Sequence, residues 1–146
     1  KGFDFSVLLQ GATRSSIYLQ GDIAWDNSWG NYYEEHIGRW TPETAATATY
    51  PRFTKAATAT HPNYYKSDYW LKDSKYLRLK NIQLGYTIPR KLLKKIGIRS
   101  LRVYTNAYNL LTWDNVKKVD PESPNNSNGQ FYPQQKVINF GINLNF

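Results

Sequence analysis

The sequence predicts an all-β chain whose four antiparallel strands form part of a transmembrane β-barrel with long extracellular connections. Residues 136–146, KVINFGINLNF, place Ile138, Phe140, Ile142, Leu144 and Phe146 on one side of a period-two pattern. Asn139, Gly141, Asn143 and Asn145 take the other side. A strand greasy on one face, small and polar on the other, and ending on an aromatic is what a lipid-facing barrel wall requires. Aromatics are also abundant, with 12 Tyr, 6 Phe and 5 Trp, more than a soluble core needs and suited to interfacial girdles or glycan-binding surfaces. Long and short connections alternate between the strands, as they do in bacterial barrels.

The first strand is residues 1–10, with Phe3, Phe5, Val7 and Leu9 on one face and Asp4, Ser6 and Gln10 opposite. Periodicity fades from about Gly21 to Ser67, where Gly, Asn, Pro, Thr and Ala dominate and AATAT occurs at 45–49 and again at 56–60. One short helix is expected there, with Asn31 as N-cap and Glu34 three residues on, running towards Trp40. A connection this long is usually functional.

The second strand is residues 76–88. Ile82, Leu84, Tyr86 and Ile88 share one face, but upstream the greasy parity switches to Leu77 and Leu79. The switch marks either a bulge or the point where the strand leaves the membrane. Pro89 stops pairing, and residues 90–98 make a compact turn in which Leu92, Leu93 and Ile96 recur at helical spacing before Gly97 closes it. The third strand is residues 99–110, and the Asp-, Asn-, Pro- and Ser-rich stretch from Trp113 to Phe131 reads as a second long loop. From Tyr132 to Phe146 the last strand would cover roughly 45 Å, or about 35 Å along the normal at ~40° of tilt, setting those two aromatics at opposite girdles. The carboxyl terminus falls on the short-turn, periplasmic side.

The formal charge is +8. Its densest group, Arg90, Lys91, Lys94 and Lys95, sits in the compact turn and the rest is scattered, which suits solvated turns and anionic lipid head groups better than nucleic acid. Absence of cysteine excludes a disulfide scaffold or thiolate metal site. There is no methionine, no signal peptide, and about eight strands are needed to close a barrel. Residues 1–146 therefore read as a barrel piece of something longer.

The run from Trp70 to Pro89, WLKDSKYLRLKNIQLGYTIP, resembles the carboxyl-terminal signature of SusC/RagA-type TonB-dependent outer-membrane transporters of Bacteroidetes. So do SLRVY at 100–104, NLLT at 109–112, DPE at 120–122 and FGINLNF at 140–146, with KGFDFS at 1–6 and RWTPE at 39–43 fitting the same family. Gly141, Leu144 and Phe146 resemble the terminal signal read by the barrel-assembly machinery. The resemblance implies a barrel of about 22 strands around an amino-terminal plug, energised through TonB and capped by a SusD-like surface lipoprotein. Together these import glycan or peptide oligomers. No plug or TonB box is present here.

Trp25, Trp29, Tyr32 and Tyr33 lie in the first long loop, with Asp22, Asp26 and Asn27 close in sequence. These residues either stack and hydrogen-bond an oligosaccharide, or pack the loop on itself, or dock the lid lipoprotein. Asn139, Asn143 and Asn145 face the lumen, where they contact the plug, line the substrate path or are simply solvated. Ile138, Phe140, Ile142, Leu144 and Phe146 face lipid.

No cofactor is expected. Asp22, Asp26 and Asp114 offer oxygens for calcium without a complete EF-hand. His36 and His61 lack metal-site spacing, and the adjacent Glu34 and Glu35 point apart on a helix and cannot flank one glycosidic bond. The expected role is transport without catalysis. The rivals are a secreted carbohydrate-binding β-sandwich and a passive porin segment.

Overall fold

The computed structural model describes residues 2–26, 32–54, 61–123 and 131–146. Two compact units emerge: Lys1–Thr13, Lys75–Asn115 and Gln134–Phe146 form one, and Arg14–Ser74 with Val116–Pro133 the other.

The first unit is an antiparallel sheet. Phe3–Ala12 (β1), Tyr76–Thr87 (β4), Ser100–Asp114 (β5) and Val137–Asn145 (β6) lie in the order β1-β4-β5-β6. Ala12, Tyr76 and Asp114 are cross-strand neighbours, so both long connections leave one end of the sheet. The short turn and the β6 terminus occupy the other end, where Ser100 pairs with Asn145.

The register sorts side chains by chemistry. One face carries the rows Phe3–Tyr86–Val103–Ile142, Phe5–Leu84–Thr105–Phe140 and Val7–Ile82–Ala107–Ile138. The row Leu9–Leu79–Leu111 continues it, and Trp113 sits beside Leu77. The opposite face carries Asp4–Gly85–Tyr104–Gly141 and Ser6–Gln83–Asn106–Asn139, with Thr87, Arg102 and Asn143 in the next row.

The parity switch in β4 is a bulge. Leu8 pairs with Asn81 and Leu9 with Leu79, so the ladder steps past Lys80. The β4–β5 ladder steps past the same residue, pairing Leu79 with Leu111 and Asn81 with Tyr108. One inserted residue thus returns Leu77 and Leu79 to the face of Ile82 and Leu84. On β5 the accommodation includes Asn109 at φ 51°, a left-handed conformation that asparagine tolerates better than most.

Two strand boundaries differ from expectation. β5 runs on to Asp114, because the irregularity at Asn109 breaks a local alternation that resumes at Leu111 and Trp113. β6 begins at Val137 rather than near Tyr132, so Tyr132 lies outside the strand. The short connection contains α1 (Arg90–Leu93) and a 3₁₀ turn at Lys94–Ile96. Gly97 closes it at φ 73°, ψ 9°. Of the three apolar residues there, only Leu93 is buried.

The second unit has its own small sheet, Ser16–Tyr18 (β2) against Leu71–Asp73 (β3). Beside it Ile17, Leu19, Ala24, Tyr50, Trp70 and Val116 form a core, with Trp25 and Phe53 packed against it. The expected helix is a 3₁₀ turn, Glu34–Gly38, capped by Tyr33. The His36 ring replaces the expected asparagine cap: its Nδ1 accepts the Tyr33 N–H at 3.1 Å. Asn31 lies outside the described residues.

Candidate functional site

The first long connection is organised around Asp26. A 3₁₀ turn at Gly21–Ile23 brings the Ala24 and Trp25 N–H groups back to the Gly21 carbonyl (3.1 and 2.9 Å) and delivers Asp26 into the core. There its Oδ2 accepts the Thr54 N–H at 2.7 Å. The Tyr64 hydroxyl shares its proton between the Asp26 carbonyl oxygen (2.8 Å) and Oδ1 (3.2 Å). The Tyr50 hydroxyl accepts the Asp26 N–H at 3.1 Å and donates to the Ala24 carbonyl at 2.6 Å. A carboxylate that is 2 % exposed survives burial because hydrogen bonds meet both its oxygens. Burial and the neighbouring Asp26 charge both push the Tyr50 and Tyr64 phenols far above the ordinary tyrosine range. Burial, then Glu35, pushes Tyr69 up to about 12.

Aromatic packing extends this pin. Trp25 stacks on Tyr64 at 4.7 Å, and His36 packs edge-on against Tyr50 at 4.5 Å. Tyr32 stacks on Phe53 at 5.4 Å, with the Arg39 guanidinium 5.1 Å from the Phe53 ring. Lys118 pairs with Glu35, donates to the Ile23 carbonyl at 3.3 Å and sits 4.8 Å from the Tyr33 ring. His61 is a cap, its Nδ1 accepting the Asn63 N–H at 3.2 Å.

The sequence-derived candidates therefore divide. Asp26 is engaged inside the loop and does not reach the surface; it is a structural pin rather than a contact for an external sugar. Trp25 is likewise spent on Tyr64, and Asp22 sits half-buried in the Gly21–Ile23 turn. Tyr32, 65 % exposed, and Tyr33, 36 % exposed, remain accessible. Trp29 and Asn27 lie outside the described residues. Sequence reasoning missed Ile37 and Trp40, which add exposed apolar surface to the same segment. It also missed the buried set Tyr50, Tyr64, His36 and Trp70; Tyr50, preceding a proline after an AATAT run, was the available signal for one of these positions. Among the described residues no group of three or more His, Asp or Glu could hold a metal ion. The arrangement leaves Tyr32, Tyr33, Ile37 and Trp40 as exposed aromatic and apolar surface on this segment.

On the sheet, Asn139 faces Asn106 and Asn145 faces Ser100, whose hydroxyl oxygen accepts the Asn145 amide at 2.8 Å. The side chains of Ile138, Phe140, Ile142 and Leu144 lie on the apolar face, Phe140 84 % exposed.

No family model matches the chain. It is 29 % identical over 162 positions to TonB-dependent receptor P26 of Formosa agariphila, covering all of this chain and 16 % of that protein. It is 31 % identical over 84 positions to TonB-dependent receptor SusC of Bacteroides thetaiotaomicron, covering 56 % of the chain and 8 % of SusC. The fold matches the RagAB peptide importer in its open-open state with a TM-score of 0.78 and 26 % identity, over the whole chain and 16 % of that one. The chain is similar to a segment of the SusC/RagA-type TonB-dependent transporters. Its four-stranded sheet corresponds to part of the RagA barrel. The segment spans only 16 % of the length of P26 and of the matched RagAB chain, and those relatives are receptors and transporters.

Proposed function

We propose that this segment supplies barrel wall and surface loops to a SusC-like TonB-dependent transporter of the bacterial outer membrane. The whole protein imports glycan or peptide oligomers together with a SusD-like surface lipoprotein, and this segment has no catalysis of its own. The observation that carries the reading is the two-faced sheet. Apolar side chains run across all four strands on one side, and Asp4, Arg102, Gln83 and four asparagines (Asn81, Asn106, Asn139, Asn143) occupy the other. A soluble protein would cover the first face, because exposed apolar areas of this extent mark interfaces or membranes. A barrel wall leaves it to lipid and leaves the second face to a wet lumen.

Gly141, Leu144 and Phe146 then form the signal for the barrel-assembly machinery, and coupling to TonB resides elsewhere in the protein. Tyr32, Tyr33, Ile37 and Trp40 form the accessible surface for cargo or lipoprotein. The test is the mass and company of the native polypeptide extracted from outer membranes. A chain several times larger than 17.0 kDa, co-purifying with a lipoprotein, is expected. A free, soluble chain of 17.0 kDa would overturn the reading in favour of a secreted carbohydrate-binding module.

A further inference from the structure

We infer that the short connection between β4 and β5 is a membrane-surface anchor that seats on anionic phospholipid, Leu92 and Ile96 entering the acyl boundary while Arg90, Lys91, Lys94 and Lys95 hold head-group phosphates. The inference rests on the barrel reading above.

The two apolar side chains are 68 % and 65 % exposed. They stand four residues apart in a helical stretch, a spacing that sets side chains on one side of a turn. Leu93, 3 % exposed, faces inward between them, so the turn has a packed side and a greasy outer side. All four cations are exposed. Lysine and arginine stems can lie along apolar surface while their charged ends reach into a polar interface.

Charge makes the partner specific. The sheet unit contains only two carboxylates outside the chain terminus, Asp4 and Asp114. Asp4 is taken by Arg102, at 3.1 and 2.5 Å. Asp114 ends β5 at the opposite end, beside Tyr76, roughly 46 Å along a 15-residue strand. With Arg99 added, the turn end carries five cations against Asp4, already paired, and the terminal carboxylate that follows Asn145. The turn also joins strands whose last apolar rows on the proposed lipid side are Tyr86–Val103–Ile142 and Leu101–Leu144, which brings Leu92 and Ile96 to the end of that belt. An anionic phospholipid leaflet meets both requirements at once.

The experiment uses the full-length transporter with a single cysteine at Leu92 or, separately, at Phe140. Each is labelled with an environment-sensitive fluorophore and reconstituted in phosphatidylethanolamine vesicles, with or without phosphatidylglycerol, carrying brominated acyl chains. Both labels should be quenched, and quenching at Leu92 should rise at least twofold with phosphatidylglycerol. R90Q/K91Q/K94Q/K95Q should abolish that rise, whereas K91R/K94R/K95R should keep it. Quenching at Phe140 but not at Leu92 leaves the barrel reading intact and overturns the anchor. Quenching at neither site overturns both. A Leu92 response indifferent to phosphatidylglycerol, or shielding of Leu92 from both bromolipid and aqueous iodide, overturns the anionic-lipid assignment, the latter in favour of a protein partner.

Discussion

The Tyr64 hydroxyl donates to Asp26 across 38 positions of sequence, 2.8 Å from its carbonyl oxygen and 3.2 Å from Oδ1. This one contact ties the two ends of the first long connection to a common buried carboxylate. Asp26→Ala should cost the loop unit about 1–3 kcal/mol, because the part-buried Thr54 N–H loses its carboxylate acceptor and the Tyr64 hydroxyl keeps only the backbone carbonyl of residue 26. Tyr64→Phe should cost about 1 kcal/mol, and the double variant should cost less than the sum. Hydrogen exchange at the Thr54 amide reads all three; additive losses would show that the groups do not act as one pin.

The phenols set an alkaline limit. Tyr50, Tyr64 and Tyr69 all have folded pKa values above their ordinary one of 10.0. Below pH 10 both folded and unfolded chains keep these protons, and the contribution to stability is complete. Above it the unfolded chain releases them first, so stability falls with pH, through about 12 for Tyr69. Tyrosinate absorbance should show a late-titrating group that appears together with loss of loop protection. Tyr50→Phe should weaken the pH dependence; an unchanged profile would detach it from this cluster.

Substitution by face should separate lipid from lumen. Phe140→Arg should cost ~2–4 kcal/mol near the bilayer midplane and reduce outer-membrane accumulation. Asn139→Arg, one residue away on the polar face, should be tolerated much better. Asn143 is the poorer control because it lies across from Arg102, where a second guanidinium meets a like charge. Equal accumulation of the Phe140 and Asn139 variants would count against the facing assignment.

Gly141 lies beneath Tyr104, with the phenol ring where a Cβ would stand. Gly141→Ala should cost about 1–3 kcal/mol by overpacking. Pairing it with Tyr104→Ala should recover much of that loss, as read from the denaturation midpoint of the assembled barrel. A single variant as stable as the parent would remove the steric role.

Sequence periodicity made the wall legible and left the loop mostly unread. Alternation in β1 and β6 is local, so each strand announces its own faces. At Lys80 the sequence showed a parity change whose meaning depends on what β1 and β5 do alongside, and only the two ladders identify it as a bulge. Tyr50, Tyr64 and Asp26 meet across separations of 24 and 38 residues, which leave no period to detect. β2 and β3 are three residues each, too short for alternation to register. The exposed aromatics of the loop were recognisable by type, but which of them reach the surface was decided by packing: Trp25 turned inward and Tyr32 did not.

The row Asp4–Gly85–Tyr104–Gly141 bears on a problem that greasiness cannot solve. Sliding β6 two residues along β5 would still place Ile138, Phe140, Ile142 and Leu144 on the apolar face, so a bilayer against that face would be blind to such a slip. The glycines are not. A two-residue slip would put Asn139 or Asn143 under the Tyr104 ring in place of Gly141, and at Gly85 the space is already closed by the Arg102 and Asp4 side chains, 2.5 and 2.6 Å from where a Cβ would sit. Alternate notches and teeth on the wet side thus act as a key for strand stagger. Since stagger and strand number together set a barrel's girth and tilt, two hydrogen-sized side chains help fix the width of any barrel this sheet joins.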